Sequence, residues 1–319
     1  MKLLRLFLTC SFTLLHFCSH VTMSVCKLLS RVVTPQSIDY NSMQVQQTAG
    51  GEELHKYTYG ITSDPICQFA CALSALIHDI DHPGVPNATL VQEQAEVAQI
   101  YQNKSCAEQN SLDLAWGLLM EPQYAELRSC IYTNPEELMR FRQLLVNSVM
   151  ATDIADKELG TQRKARWAKA FAETAVPVNE LSEAELLEDS NRKATIVIEH
   201  LIQASDVSHT MQHWHVYIKW NEKLFQETYK AYLEGRSSQD PSENWYKSEI
   251  GFFDFYLIPL AKKLKECGVF GVASDEYLSY VTQNKAEFVT KGKELVKSYL
   301  ANFHAEYGKD VPGGGVIME

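Results

Sequence analysis

The sequence predicts an all-α fold, and three observations carry that expectation. Helix punctuation recurs: Asn134, Pro135 and Glu137 stand as cap, first and third helical positions, and Asp240, Pro241 and Glu243 repeat the arrangement. Apolar residues return at spacings of three, four or seven over long stretches, which places them on one face of a helix. No alternating run of convincing length reads as a strand.

Taken in order, the chain opens on MKLLRLFLTCSFTLLHFCSH. Lys2 and Arg5 precede an apolar stretch like that of a secretory signal peptide, too short for a comfortable membrane span. The start of a core helix is the plainer alternative. Residues 34–65 are polar and glycine-containing and read as a loop. Cys67 and Cys71 follow, four apart on an apparent helix face, as expected of buried free thiols. The stretch TNPEELMRFRQLL reads as a capped helix, and the acidic segment 181–191 as a solvated turn region. From Val207 the residues Met211, Trp214, Ile218, Phe225, Tyr229 and Tyr232 mark a long amphipathic helix reaching Gly235. The next helix carries Ile250, Phe253, Leu257 and Leu264 on one face, should kink at Pro259, and ends at Gly268. A last helix is expected from a Ser274 cap, before a frayed tail beginning at Gly308. With no internal repeat, the simplest partition is one compact helical domain over 19–307. An atypical apolar start, 1–18, precedes it, and a flexible tail, 308–319, follows.

A chain of 319 residues with 45% hydrophobic and 10% aromatic content can build a substantial core. Its formal charge of −11, with no basic stripe, argues against nucleic acid as a partner, since phosphate backbones are held by clustered Lys and Arg. The eight cysteines are scattered without a CxxC pair, so neither a zinc knuckle nor a disulfide framework is expected. A reducing compartment, hence the cytoplasm, fits that usage best.

The chemistry concentrates in HDIDHPGVPN, where His78, Asp79, Asp81 and His82 close an apolar run. Buried carboxylates and imidazoles need partners, and Asp and His are ligand types for zinc, magnesium or manganese. The best remote donor is Asp206, set in an apolar context after Ile202 and Ala204. Considered alone, Asp206 also reads as a satisfied or capping carboxylate.

Several motifs in the right order make the chain similar to the catalytic domain of class I 3′,5′-cyclic-nucleotide phosphodiesterases, a branch of the HD-domain hydrolases. They are HDIDHPGVPN, ASDVSHTMQHWHVYIKWNEKLF and SEIGFFDFYLIPLAKKL, supported by SHVTMSVCKLLSRVV, YGITSDPICQFACALSALIHD and NKSCAEQNSLDLAW. The resemblance runs from about His20 to about residue 305. It implies an all-helical fold and two divalent metal ions, usually zinc and magnesium (or manganese), sharing a bridging hydroxide. His78, Asp79 and Asp206 match metal ligands, with Asp79 bridging both ions. Asp81 and His82 match groups that orient ligands and waters, and Glu108 an acid that hydrogen-bonds metal-bound water or the general acid. Phe252 matches the aromatic that stacks on the purine, Leu224 the apolar residue opposite, and Trp220 a position near the pocket wall. Ordinary core packing is the alternative for Phe252 and Leu224.

The chain departs from the family pattern in two places. The purine-orienting glutamine of the family aligns with Glu249, and an ionised carboxylate accepts hydrogen bonds without donating any. The family also opens its site with H-N-x-x-H, whose first His is a general acid and whose second is a metal ligand. Registering on SHVTMSV puts those positions at Thr13 and Phe17, whereas His16 and His20 repeat the spacing three residues along. Three residues on a helix is about 300° of rotation, so the two pairs are not interchangeable. The family's helices before this motif are likewise not found, so the domain reads as N-terminally truncated or degenerate.

The leading expectation is an enzyme that hydrolyses cAMP and/or cGMP to the 5′-nucleotide in signal transduction. The alternatives are a catalytically impaired nucleotide-binding pseudoenzyme, or another HD-type phosphohydrolase acting on nucleoside monophosphates. The aromatic IGFFDF stretch speaks against the latter. A homodimer is a possible assembly, and membrane attachment is expected only through segments of a larger parent.

Overall fold

The structure, a computed structural model, describes residues 12–31, 55–171 and 182–308. The signal-like residues 1–11, most of the expected loop and the glycine-rich tail lie outside them. Among the described residues every regular element is helical. In chain order these are α1 (Phe12–Ser30), α2 (Pro65–Ile77), α3 (Asn87–Gln92), α4 (Glu96–Ile100), α5 (Cys106–Leu119), α6 (Ala125–Ile131) and α7 (Pro135–Met150). They are followed by α8 (Lys157–Phe171), α9 (Glu183–Asp206), α10 (Trp214–Leu233), α11 (Pro241–Phe252), α12 (Ile258–Glu266) and α13 (Val272–Tyr307).

The central strut is α9. Its first half is polar, but from Ile196 to Ser205 every side chain is buried, so the helix is enclosed on all sides. Helix α1 packs Val21, Val25 and Leu28 against Val197, Leu201 and Ile202 of α9, and α12 adds Leu260 and Leu264 to the same core. Two of the polar side chains that α9 takes inside are paired. Arg166 Nη2 donates to Glu199 Oε2 at 3.0 Å, and Gln203 Nε2 donates to the Ala151 carbonyl at 2.9 Å. Helix α13 lies along α10, α11 and α12 and closes the opposite side.

Local signals explain most boundaries. The Asn134 side chain accepts from the Glu137 amide at 2.9 Å, and Asp240 accepts from Ser242 at 2.8 Å. Cys67 and Cys71 are buried free thiols on α2. Five expectations need correction. Within the acidic stretch expected as a turn over 181–191, residues 183–191 form the first turns of α9, started by a Ser182–Glu185 capping box, because their solvent-facing charges belong to a helix whose far end is buried. Val207 and Met211 precede α10. Met211 closes a 3₁₀ turn, Ser208–Met211, and the helix begins at Trp214. Ser274 lies inside α13, its hydroxyl donating to the Gly271 carbonyl at 2.6 Å, and Gly271 takes the cap position with φ 48°. Pro259 produces no simple kink. A π turn, Phe253–Leu257, separates α11 from α12 and leaves Pro259 in the first turn of α12, where its missing N–H is no loss. Finally, the end of the loop expected over 34–65 carries a 3₁₀ turn, Ile61–Ser63.

Packing is tight where α11 meets α13. A Cβ at Gly292 would stand 2.9 Å from both Phe288 Cε1 and Tyr246 Cδ2. Gly292→Ala is therefore expected to destabilise the fold by about 1–2 kcal/mol despite the better helix propensity of alanine, read as a lower urea midpoint. An unchanged midpoint would show that these rings yield freely.

Candidate functional site

The site forms where two helices end. His78 caps the C-terminus of α2 with Asp79 next to it, and Asp206 is the last residue of α9. A helix C-terminus carries partial negative charge, so two carboxylates gathered at two such ends raise the local potential further against themselves. Such an arrangement needs positive charge. His78 supplies part of it: Nε2 lies 3.3 Å from Asp79 Oδ2 and 3.3 Å from Asp206 Oδ1. Nδ1 lies 2.9 Å from the Ala75 carbonyl and serves as its donor, which leaves Nε2, buried and without a formed hydrogen bond, facing the carboxylates. Burial works against an imidazolium here, but the two carboxylates outweigh it and hold His78 well above the ordinary histidine range. Asp79 is driven the other way: burial opposes its charge, yet His78 and then His82 bring it down to about 2.

Two donors about 2.1 Å from one tetrahedral ion lie about 3.4 Å apart, so each His78–carboxylate pair has the spacing of neighbouring ligands. The tie from Nδ1 to a backbone carbonyl is the usual orientation of a ligating imidazole. In donor chemistry and in the two His78–carboxylate spacings these side chains suit a divalent cation. Among the described residues, however, no group of three or more His, Cys, Asp or Glu side chains is placed so that it could hold a metal ion.

The remaining expected residues separate into groups. His82 is within electrostatic reach of Asp79, Glu108 and Glu227. Asp81 is exposed, with φ 59°, and accepts from Asn110 Nδ2 at 3.2 Å. Glu108, in the first turn of α5, accepts from Asn87 Nδ2 at 2.8 Å. Burial pushes its carboxyl up, with Asn87 opposing and Asp153 adding to the rise. Trp220 faces the inner side of α1, its ring 5.4 Å from Phe17 and 5.6 Å from His20. Glu249 is buried at 8% exposure on α11, one turn before Phe252, which is partly buried and stacks on Tyr256 at 5.3 Å. Leu224 is 50% exposed.

On α1 the side chain of Thr13 lies outside the described residues. Phe17 points into the site, its ring 6.1 Å from His78 and 6.0 Å from His209. His16 is exposed, and His20 turns toward the 3₁₀ turn after α9, with Nε2 3.4 Å from Ser208 Oγ and 3.2 Å from Gln212 Nε2. An apolar ring, and neither nearby histidine, thus stands beside His78.

Sequence reasoning passed over several participants. Asn87 and Asp153 form a small network with Glu108: Ser105 Oγ donates to Asp153 Oδ2 at 2.7 Å, and Asn87 Oδ1 accepts from the Ala107 amide at 3.0 Å. Asn87 ends the motif HDIDHPGVPN and could have been found there, whereas Asp153 sits in a segment with no local mark. His209 is partly buried against Phe17 and Trp220. Burial, reinforced by His20, pushes it down to about 3, so its ring is neutral. Tyr256, on the π turn, has a buried hydroxyl with no formed hydrogen bond, within electrostatic reach of Asp206.

Residues 43–270 match the sequence profile described as 3'5'-cyclic nucleotide phosphodiesterase. A probable 3',5'-cyclic phosphodiesterase (pde-3) of Caenorhabditis elegans is 25% identical over 260 residues, which is 77% of this chain and 35% of that relative. The 3',5'-cyclic-AMP phosphodiesterase 4C of Mus musculus is 26% identical over 201 residues, 60% of this chain and 27% of its own length. The chain thus spans about a third of the curated relatives it matches. In fold it is similar to the phosphodiesterase domain of Salpingoeca rosetta rhodopsin phosphodiesterase, with a TM-score of 0.55 and 19% identity over 95% of this chain and 89% of that one. A second structure of that domain, from the RhoPDE fusion protein, gives a TM-score of 0.57 and 21% identity over 93% and 90%. At that identity the likeness is one of fold. The profile match begins after α1, so the helix carrying Phe17 lies outside it. No described helix is long and apolar enough to cross a membrane.

Proposed function

This chain belongs to the 3'5'-cyclic nucleotide phosphodiesterase family, and on that premise we propose that it hydrolyses the 3′ phosphoester bond of a cyclic purine nucleotide, giving the 5′-nucleotide. The observation that carries the reading is the His78 Nε2 atom, buried without a hydrogen bond between Asp79 and Asp206. These three side chains would hold a divalent cation, zinc or magnesium by the preferences of its donors. Such a cation would supply Lewis-acid stabilisation of the charge that builds on the phosphoryl oxygens. The protein's own groups do the rest. Asn87 and Asp153 position Glu108, whose carboxyl, raised by burial, can hold a proton beside the phosphate. His82, in reach of both Asp79 and Glu108, orients that acidic cluster. Phe252 and Leu224 would flank the base, with Glu249 reading its edge. Cytoplasmic signalling is the setting this reading implies.

The direct test is to incubate the purified full chain with cAMP or cGMP, zinc and magnesium and to follow release of the 5′-nucleotide. Turnover abolished by a chelator and restored by metal is the expected result. Absence of turnover at any metal concentration would refute the proposed hydrolysis.

A second reading, nucleotide binding without turnover, is favoured by one observation: an apolar ring, Phe17, stands beside His78 at the position that the family resemblance aligns with a ligand histidine. Phe17→His is expected to raise zinc affinity at least about tenfold, measured by competition with a chromogenic chelator. If affinity and turnover stay at their wild-type levels, Phe17 does not mark the missing ligand.

A further inference from the structure

A cavity of about 460 Å³ opens between α1, the turn ahead of α10 and the start of α13. Its size is that of a small-molecule site, and His78, Asp79 and Asp206 are not among its lining residues. The floor is apolar. Met211 and the ring of Tyr277 form it, both fully buried, and the Tyr277 hydroxyl is already engaged by Ser24 at 3.1 Å. One corner is polar. Gln212 Nε2 lies 3.2 Å from His20 Nε2, and because an amide nitrogen only donates, the imidazole accepts there. Burial lowers the His20 pKa, so near neutrality the ring carries a single proton, on Nδ1. His213, next along the turn, has its Nε2 3.2 Å from the Tyr280 hydroxyl. The turn is pinned from α13: Asn284, itself buried, donates to the Thr210 carbonyl at 2.9 Å and to the Gln212 carbonyl at 2.7 Å. The corner is therefore preorganised, which lowers the cost of binding there.

The charges on the rim decide the sign of the ligand. Lys27 stands about 10 Å along α1 from His20, on the same face, with its ammonium 5.6 Å from the centre of the Tyr277 ring. Glu276 is the acidic residue of the lining, and Arg31 holds it at 2.9 Å, with Lys27 at 3.9 Å. Two cations against one carboxylate leave this end positive. Helix α10 also begins at the polar corner, with no acidic residue in its first turn and no side-chain cap from His213, so its partial positive charge adds to the field. We propose that the cavity binds an organic phosphate monoester. Its phosphate lies at His20, Gln212 and His213, and its carbon skeleton runs along Met211 and Tyr277. A monoester dianion brings three terminal oxygens to these three donors and draws more from a positive field than a carboxylate with two oxygens. The site is independent of the hydrolytic reading of the His78 cluster.

The experiment is calorimetric titration of the full chain, in the presence of EDTA, with phenyl phosphate and with benzoate as probes. Phenyl phosphate should saturate one site and bind at least about tenfold more tightly than benzoate. His213→Ala removes an exposed donor and should weaken phenyl phosphate about tenfold, with helical content by circular dichroism retained. Lys27→Met preserves the aliphatic stem and drops the charge, and should weaken it at least about threefold. Asp206→Ala should bind the probe as the wild type does. Absence of saturable phenyl phosphate binding overturns the proposal, and so does equal affinity for benzoate. An affinity unchanged in both His213→Ala and Lys27→Met also overturns it. Binding lost in Asp206→Ala but retained in His213→Ala would put the phosphate at the His78 cluster and refute the separate site.

Discussion

Asp206→Ala is expected to lower cyclic-nucleotide turnover by about 10²- to 10³-fold, the scale on which removing one group that stabilises transition-state charge acts. The cause is local. Asp206 closes α9 with its Oδ1 3.3 Å from His78 Nε2, and its loss leaves Asp79 alone opposite that ring. The same substitution should release bound zinc, measured by metal content after dialysis. The Asp206 carboxylate also helps to hold the buried His78 charged, so the melting temperature should fall modestly while helical content by circular dichroism is retained. Turnover at the wild-type rate would remove Asp206 from the site.

Glu249→Gln should stabilise the fold by about 3 kcal/mol at pH 8 and by almost nothing near pH 4.5. The sign follows from where the protons sit. In the folded chain burial holds the carboxyl near 7, against an ordinary value of 4.5. The native state thus binds more protons than the unfolded one between those values, and stability contributed by the neutral form is lost as pH rises through the folded value. Each unit of difference is about 1.4 kcal/mol, which sets the total. Glutamine is neutral throughout and fills the same space, so it escapes the loss. Urea denaturation of both proteins at pH 4.5, 6 and 8 measures the effect. A difference that stays the same at all three would mean that Glu249 titrates alike in the folded and unfolded chain.

Most of the helical framework was legible in local spacing. Asn134 and Asp240 cap helices as their positions suggest, since a cap is an interaction over two or three residues and needs nothing distant. The errors fell where a local signal met tertiary context. The acidic stretch before Asn191 looked like a turn because nothing nearby reveals that the helix it starts ends in the core. Pro259 looked like a kink, but the π turn ahead of it, which places Tyr256 near Asp206, set the geometry.

For the site, the sequence by itself determined the donor types: an HD pair at the end of an apolar helix, a distant buried Asp, and a glutamate where a glutamine is usual. Only the tertiary structure decided what those residues face. That Asp206 meets His78, that Phe17 lies beside that ring while His20 turns away, and that Glu249 faces Tyr217 and Asn221 are contacts between helices far apart in the chain. The reason is physical. The charge state and partners of a buried group depend on desolvation and on charges reached through space, and neither is encoded in the spacing of neighbours along a helix.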